Sequence, residues 1–116
     1  MARTPKRLAG PALVATGPTT IYTVPASTKT VLRHVHVSNP SGSPVTFTMS
    51  IGADAAGTRL IGAYSIPAAA AGVPLSSSAP DIWLYVPMEA TEILTVSAGT
   101  NNILTVTVGG DEITLG

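Results

Sequence analysis

The chain has no cysteine, which excludes a disulfide framework and any thiolate metal site, and which fits a reducing or an oxidising compartment equally well. Charge is scarce: 10% of residues are charged, against about 25% in an average soluble domain. The six basic and six acidic side chains cancel to a net charge of +0. A surface with so little charge is poorly defended against association, so a subunit whose uncharged faces are covered by neighbours is expected. Aromatics are few, at 4%. No apolar run approaches the ~20 residues of a membrane span, and no membrane partner is expected. The basic start runs into Gly10-Pro11 instead of a long apolar segment, which is unlike a signal peptide.

What is present is alternation. Val45-Thr46-Phe47-Thr48-Met49-Ser50-Ile51 places four apolar side chains at a spacing of two. Successive strand side chains point to opposite faces, so this is a strand with one buried face and one wet face. Similar stretches are expected at Ala12–Ala15, Thr20–Val24, Thr30–Ser38, Arg59–Tyr64, Asp81–Val86, Glu92–Ala98, Ile103–Val108 and Glu112–Leu115. Asn39-Pro40-Ser41-Gly42 and Gly99-Thr100-Asn101-Asn102 read as hairpin turns, the first joining Thr30–Ser38 to Val45–Ile51, and Gly109-Gly110 as a turn or bulge. The Ala-rich run from Ala68 to Gly72 is bracketed too closely by Pro67 and Pro74 for a helix, and reads as a connection.

The fold class expected is therefore all-β: an antiparallel, jelly-roll-like β-sandwich of about eight short strands. A chain of this length buries roughly two thirds of its unfolded surface, enough for one core. The core face should hold Val35, Val37, Val45, Phe47, Met49, Ile51, Leu94, Val96, Leu104, Val106 and Val108. Thr46, Thr48, Thr95, Thr105 and Thr107 should line the reverse faces, exposed or at an interface. Residues 1–10 read as an extended basic arm, and residues 11–116 as a single domain. Arg3, Lys6 and Arg7 carry half of the positive charge and are the candidate attachment residues for a partner protein. Three cations without interleaved aromatics make a poor nucleic-acid surface, so none is expected.

Signals for chemistry are thin. His34 and His36 are the sole histidines and share one strand face, a spacing that metal sites use. No third histidine exists and the next acidic residue is Asp54, so no complete metal site within one chain is expected. Imidazoles from several copies meeting at a symmetry axis stay open. Asp111 and Glu112 are adjacent and should point apart, giving no glycosidase pair. Ser76-Ser77-Ser78 lacks a nucleophile elbow and reads as linker. Trp83 and Tyr85 share a face of their strand, where the pair would stack on a sugar ring, or Trp83 would complete the core or anchor a subunit contact. No catalytic residue, cofactor or enzymatic activity is expected.

One resemblance rests on the order of these segments. Ile21-Tyr22-Thr23-Val24-Pro25-Ala26, the strand ending in Ser38-Asn39, the Thr-rich strand Val45–Ile51, and the Thr105–Ile113 segment with its internal glycines resemble small virion proteins of tailed bacteriophages. The resemblance covers residues 19–114. It implies a non-enzymatic β-sandwich of the head-decoration or minor-tail type, a homo-oligomer such as a trimer that contacts major capsid or tail proteins. Such a protein is assembled in the bacterial host cytoplasm and resides in the virion. The competing expectation from the residues is a receptor- or carbohydrate-binding β-sandwich module.

Overall fold

A computed structural model of the chain describes residues 2–53, 55, 57–69 and 78–114. Eight strands follow in order: β1 (Ala2–Leu13), β2 (Thr19–Thr23), β3 (Thr28–Ser38), β4 (Val45–Ile51), β5 (Arg59–Ile66), β6 (Asp81–Met88), β7 (Ile93–Ala98) and β8 (Thr105–Thr114). One antiparallel sheet has the order β1-β8-β3-β6 and the other β2-β7-β4-β5. Strands thus alternate between sheets along much of the chain, the winding of an eight-stranded jelly roll. We call these sheets A and B.

Period-two alternation produces the core. Val35 and Val37 of β3, Val106 and Val108 of β8, Phe47 and Met49 of β4, and Leu94 and Val96 of β7 are all buried between the sheets. Of the eleven expected core residues only Ile51 falls short, half-buried against the cluster from the end of its strand. Val14, Val24, Leu32, Ile66 and Met88 join them, fully buried. The hydroxyl rows lie on the reverse faces as alternation requires. Thr46 is exposed, and Thr48, Thr105 and Thr107 are half-buried. Thr95 departs from this, because its Oγ1 donates to Gly52 O at 2.7 Å and the side chain is buried.

Neither expected hairpin is one. β3 and β4 lie in different sheets, as do β7 and β8, so both turn sequences carry the chain across the sandwich. A turn signal specifies that the chain reverses, not which sheet receives the next strand. The first corner is held by Asn39, 1% exposed. Its Nδ2 donates to Ser43 O at 2.9 Å and Ile66 O at 3.0 Å, while Oδ1 accepts from Ser41 N at 3.0 Å. At the second, Gly99 N donates to Thr46 O and Asn102 N to Val14 O, both at 3.0 Å. Among the described strands, β4 and β5 are the one consecutive pair that is hydrogen-bonded together.

The N-terminal segment is a strand and not a detached arm. From Ala2 onward it pairs with β8 from Thr114 back to Thr105, with register shifts between Arg7 and Ala9 and between Ala9 and Ala12. Leu8 is buried in the core, so no domain boundary falls at residue 10. Pro5 is tolerated because an edge strand needs hydrogen-bond donors on one side only. The Ala12–Ala15 stretch is split: Leu13 ends β1, and Val14 drops into the core. The Gly109-Gly110 pair lies inside β8, which runs unbroken into the expected Glu112–Leu115 strand, of which Leu115 lies outside the described residues. A register shift marks this point: Leu32 pairs with Gly110 and His34 with Gly109, which leaves Arg33 as the extra residue of a β-bulge. Ser76, Ser77 and most of the Ala68–Gly72 connection also lie outside the described residues, while Ser78 is buried and its carbonyl accepts from Asn39 N at 2.7 Å.

Candidate functional site

The bulge at Arg33 shapes the outer face of sheet A. Leu32 and Val35 point into the core and are fully buried, so the two residues between them, Arg33 and His34, both turn outward. His36 follows on the same face. The neighbouring strand β6 alternates cleanly, exposing Asp81, Trp83 and Tyr85 while Ile82, Leu84 and Val86 pack inward. Register then sets His34 beside Trp83 and His36 beside Asp81.

These side chains interlock. Asp81 Oδ1 accepts hydrogen bonds from His34 Nε2 at 2.7 Å and His36 Nδ1 at 2.8 Å. The hydrogen bond from His34, then that from His36, holds the Asp81 carboxyl below the usual carboxylate range. The Trp83 indole stacks on the His34 ring, with centroids 4.4 Å apart and planes 30° apart. Trp83 is 75% exposed and Tyr85 70% exposed. The Arg33 guanidinium sits over the Tyr85 ring, 5.2 Å from its centroid, a cation–π contact.

Arg33 also ties this patch to the far side of the sheet. Its Nε donates to Asp111 Oδ2 at 2.7 Å, and Arg3 Nη2 donates to the same oxygen at 2.6 Å. Arg3, Asp111, Arg33 and Tyr85 thus form one chain of contacts across all four strands of sheet A. Glu112, the next residue, points the other way: Tyr22 donates to its Oε2, and Lys6 Nζ lies 3.2 Å from Oε1. The expectation that Asp111 and Glu112 point apart is met, and each is used internally.

The candidate attachment cations are therefore spent unequally. Arg3 pairs with Asp111 and Lys6 with Glu112. Arg7 is exposed and makes no ion pair among the described residues. Its strand partner is Gly109, whose other neighbour is His34. Arg7, His34 and Trp83 consequently lie in one row across the outer face.

Two contributors escaped the sequence reading, Asp81 and the pair Arg33–Asp111. Asp81 lies 45 residues from His36 and Asp111 lies 78 from Arg33. No local spacing brings either together, and only the strand order does.

The pKa directions carry a test. The Arg3 hydrogen bond, then that of Arg33, depresses the Asp111 carboxyl, and the Tyr22 hydrogen bond is the first cause of depression at Glu112. Carboxyls lowered by folding contribute stability that is complete above their unfolded pKa, about 4, and is lost as pH falls through the folded value. Urea midpoints should therefore fall on acidification below about pH 4, and Asp111→Asn should flatten that acid limb while lowering stability at neutral pH. Tyr22 has the opposite sense: burial, and next the Glu112 hydrogen bond, push its hydroxyl up to about 12, so its contribution holds until alkaline pH.

Fold and site together define a jelly-roll β-sandwich with an exposed aromatic, imidazole and guanidinium face on sheet A. No protein-family model matches the chain, and no curated protein and no solved structure is significantly similar to it.

Proposed function

We propose that the chain is a non-enzymatic structural protein of a tailed-bacteriophage virion, attached to the head or tail and to copies of itself through the outer face of sheet A. The carrying observation is the pairing of Trp83 and Tyr85, 75% and 70% exposed, with Arg7, Arg33 and His34 on one open four-stranded face. Large aromatics and arginine are the residues that dominate binding energy when a partner buries them. In a chain with 10% charge, such a face is the strongest candidate for contact. The order of segments from Ile21 to Ile113 supplies the virion context, and the sparse charge supports a homo-oligomer such as a trimer. Major capsid or tail proteins are the other partners, and the virion, assembled in the host cytoplasm, is the location.

A glycan-binding module is the second reading, favoured by one specific observation: Trp83 and Tyr85 stand open on the same strand face with Asp81 and Arg33 as flanking hydrogen-bonding groups. The double variant Trp83→Ser/Tyr85→Ser separates the two. Both side chains lie outside the core, so the variant should fold normally. On the structural reading it is lost from purified particles by at least tenfold relative to wild type. Normal incorporation together with lost binding to host surface sugars favours the glycan module instead.

Removal of the basic segment would not make this separation. Deleting residues 1–7 takes away half of an edge strand and the Arg3–Asp111 and Lys6–Glu112 pairs, so folding and attachment would fail together.

A further inference from the structure

From the convergence of His34, His36 and Asp81 we infer a binding site for one divalent transition-metal ion per chain on the outer face of sheet A. The three candidate ligand atoms, one from each residue, all lie within 4.8 Å of one another. Two come from alternate outward positions of β3 and the third from the adjacent position of β6, so rigid, hydrogen-bonded strands fix the backbone of all three. The site is complete within a single chain and needs no symmetry axis.

Two of the three ligand separations are close to what an ion requires. Ligands bound to zinc at about 2.1 Å stand about 3.0 Å apart in an octahedral arrangement and about 3.4 Å apart in a tetrahedral one. Here Asp81 Oδ1 is 2.7 Å from His34 Nε2 and 2.8 Å from His36 Nδ1. Opening those two contacts by a few tenths of an ångström, and drawing together the two imidazole nitrogens, which stand within 4.8 Å of each other, admits the ion through side-chain rotations on an exposed surface. Each imidazole then carries its single proton on its other ring nitrogen and offers a lone pair, while the carboxylate offers its charge. Two imidazoles and one carboxylate suit zinc, nickel or copper, and are a poor set for magnesium or calcium, which take oxygen ligands. The remaining coordination positions face outward, open to water or to a side chain of a neighbouring protein.

Trp83 holds and reports the site. Its indole lies against the His34 ring at 4.4 Å, limiting the rotation of that ligand. It is also the one tryptophan of the chain, so its fluorescence reads this site alone.

The test uses the full chain without a polyhistidine tag. Titration with zinc chloride by calorimetry should give one saturable site per chain. Nickel or copper should quench Trp83 emission saturably, with recovery on adding EDTA. Magnesium and calcium should do neither. His36→Ala and Asp81→Asn, which leave the Trp83–His34 stack and the core untouched, should each weaken zinc binding at least tenfold while their thermal unfolding without metal stays within a few degrees of wild type. Absence of saturable zinc heat, or zinc binding unchanged in the His36→Ala/Asp81→Asn double variant, overturns the site.

Discussion

Phe47→Ala should cost about 3–5 kcal/mol of folding stability, the largest effect of any single truncation in this chain. Phe47 is the sole phenylalanine and is fully buried. It sits on the interior strand β4, with Tyr64 of β5 on one side and Ala98 of β7 on the other. Its ring is therefore part of the core cluster between the two sheets, and truncation leaves a cavity that close-packed neighbours fill only in part. Domains of this size hold only about 5–15 kcal/mol in total. The variant should show a large drop in urea midpoint with little change in the slope of the transition. A loss below about 1 kcal/mol would mean that the two sheets do not meet at Phe47.

Gly110→Ala should cost about 3 kcal/mol, for a reason that has nothing to do with cavities. Gly110 pairs with Leu32 just before the Arg33 bulge. A Cβ added there would stand 2.2 Å from the carbonyl oxygen of Val31 and 3.0 Å from Leu8 Cδ1. The obstructing atom is backbone in a central strand, so relief requires β8 and β3 to separate. Gly109 supplies the control. A Cβ at that position meets nothing nearer than Lys6 O at 4.0 Å, and Gly109→Ala should stay within about 1 kcal/mol of wild type. Chemical denaturation of the pair reads the difference directly. Equal costs would place the close approach elsewhere, and with it the bulge that turns Arg33 and His34 outward together.

Much of the inner face was legible because alternation is a local property. Val45–Ile51 states its buried side residue by residue, and Val35, Val37, Val106 and Val108 do the same. Sheet membership was not legible. Asn39 and Gly99 mark corners between layers, yet they carry the same turn chemistry as a hairpin, and what separates the two is the buried reach of Asn39 to Ile66 O. The N-terminal strand was hidden for a different reason. Proline and clustered cations read as an arm, while the carboxylates that neutralise Arg3 and Lys6 lie more than a hundred residues away. At the candidate site, Trp83, Tyr85, His34 and His36 stood out by residue type. Asp81 did not, because an acidic residue at a strand start is unremarkable until the strand order places it beside His36.

Trp83, Tyr85, the two histidines and Arg7 now share one surface, so attachment, metal and glycan proposals concern the same face of sheet A. The alternation that builds the inside also decides this. Alternate residues of β6, and of β3 from His34 to Ser38, are committed to the core, and the Arg33 bulge adds one more outward side chain to those left to meet whatever lies outside.

The most direct test of the proposed virion role is a cryo-electron microscopy reconstruction of tailed-phage particles purified after assembly in the presence of this chain, with the eight-stranded sandwich sought in the density. The proposal requires the domain to be present in symmetry-related copies, with Trp83 and Tyr85 covered by a capsid protein, a tail protein or a second copy. Particles that lack the domain, or that carry it with this face turned to solvent, would contradict the account.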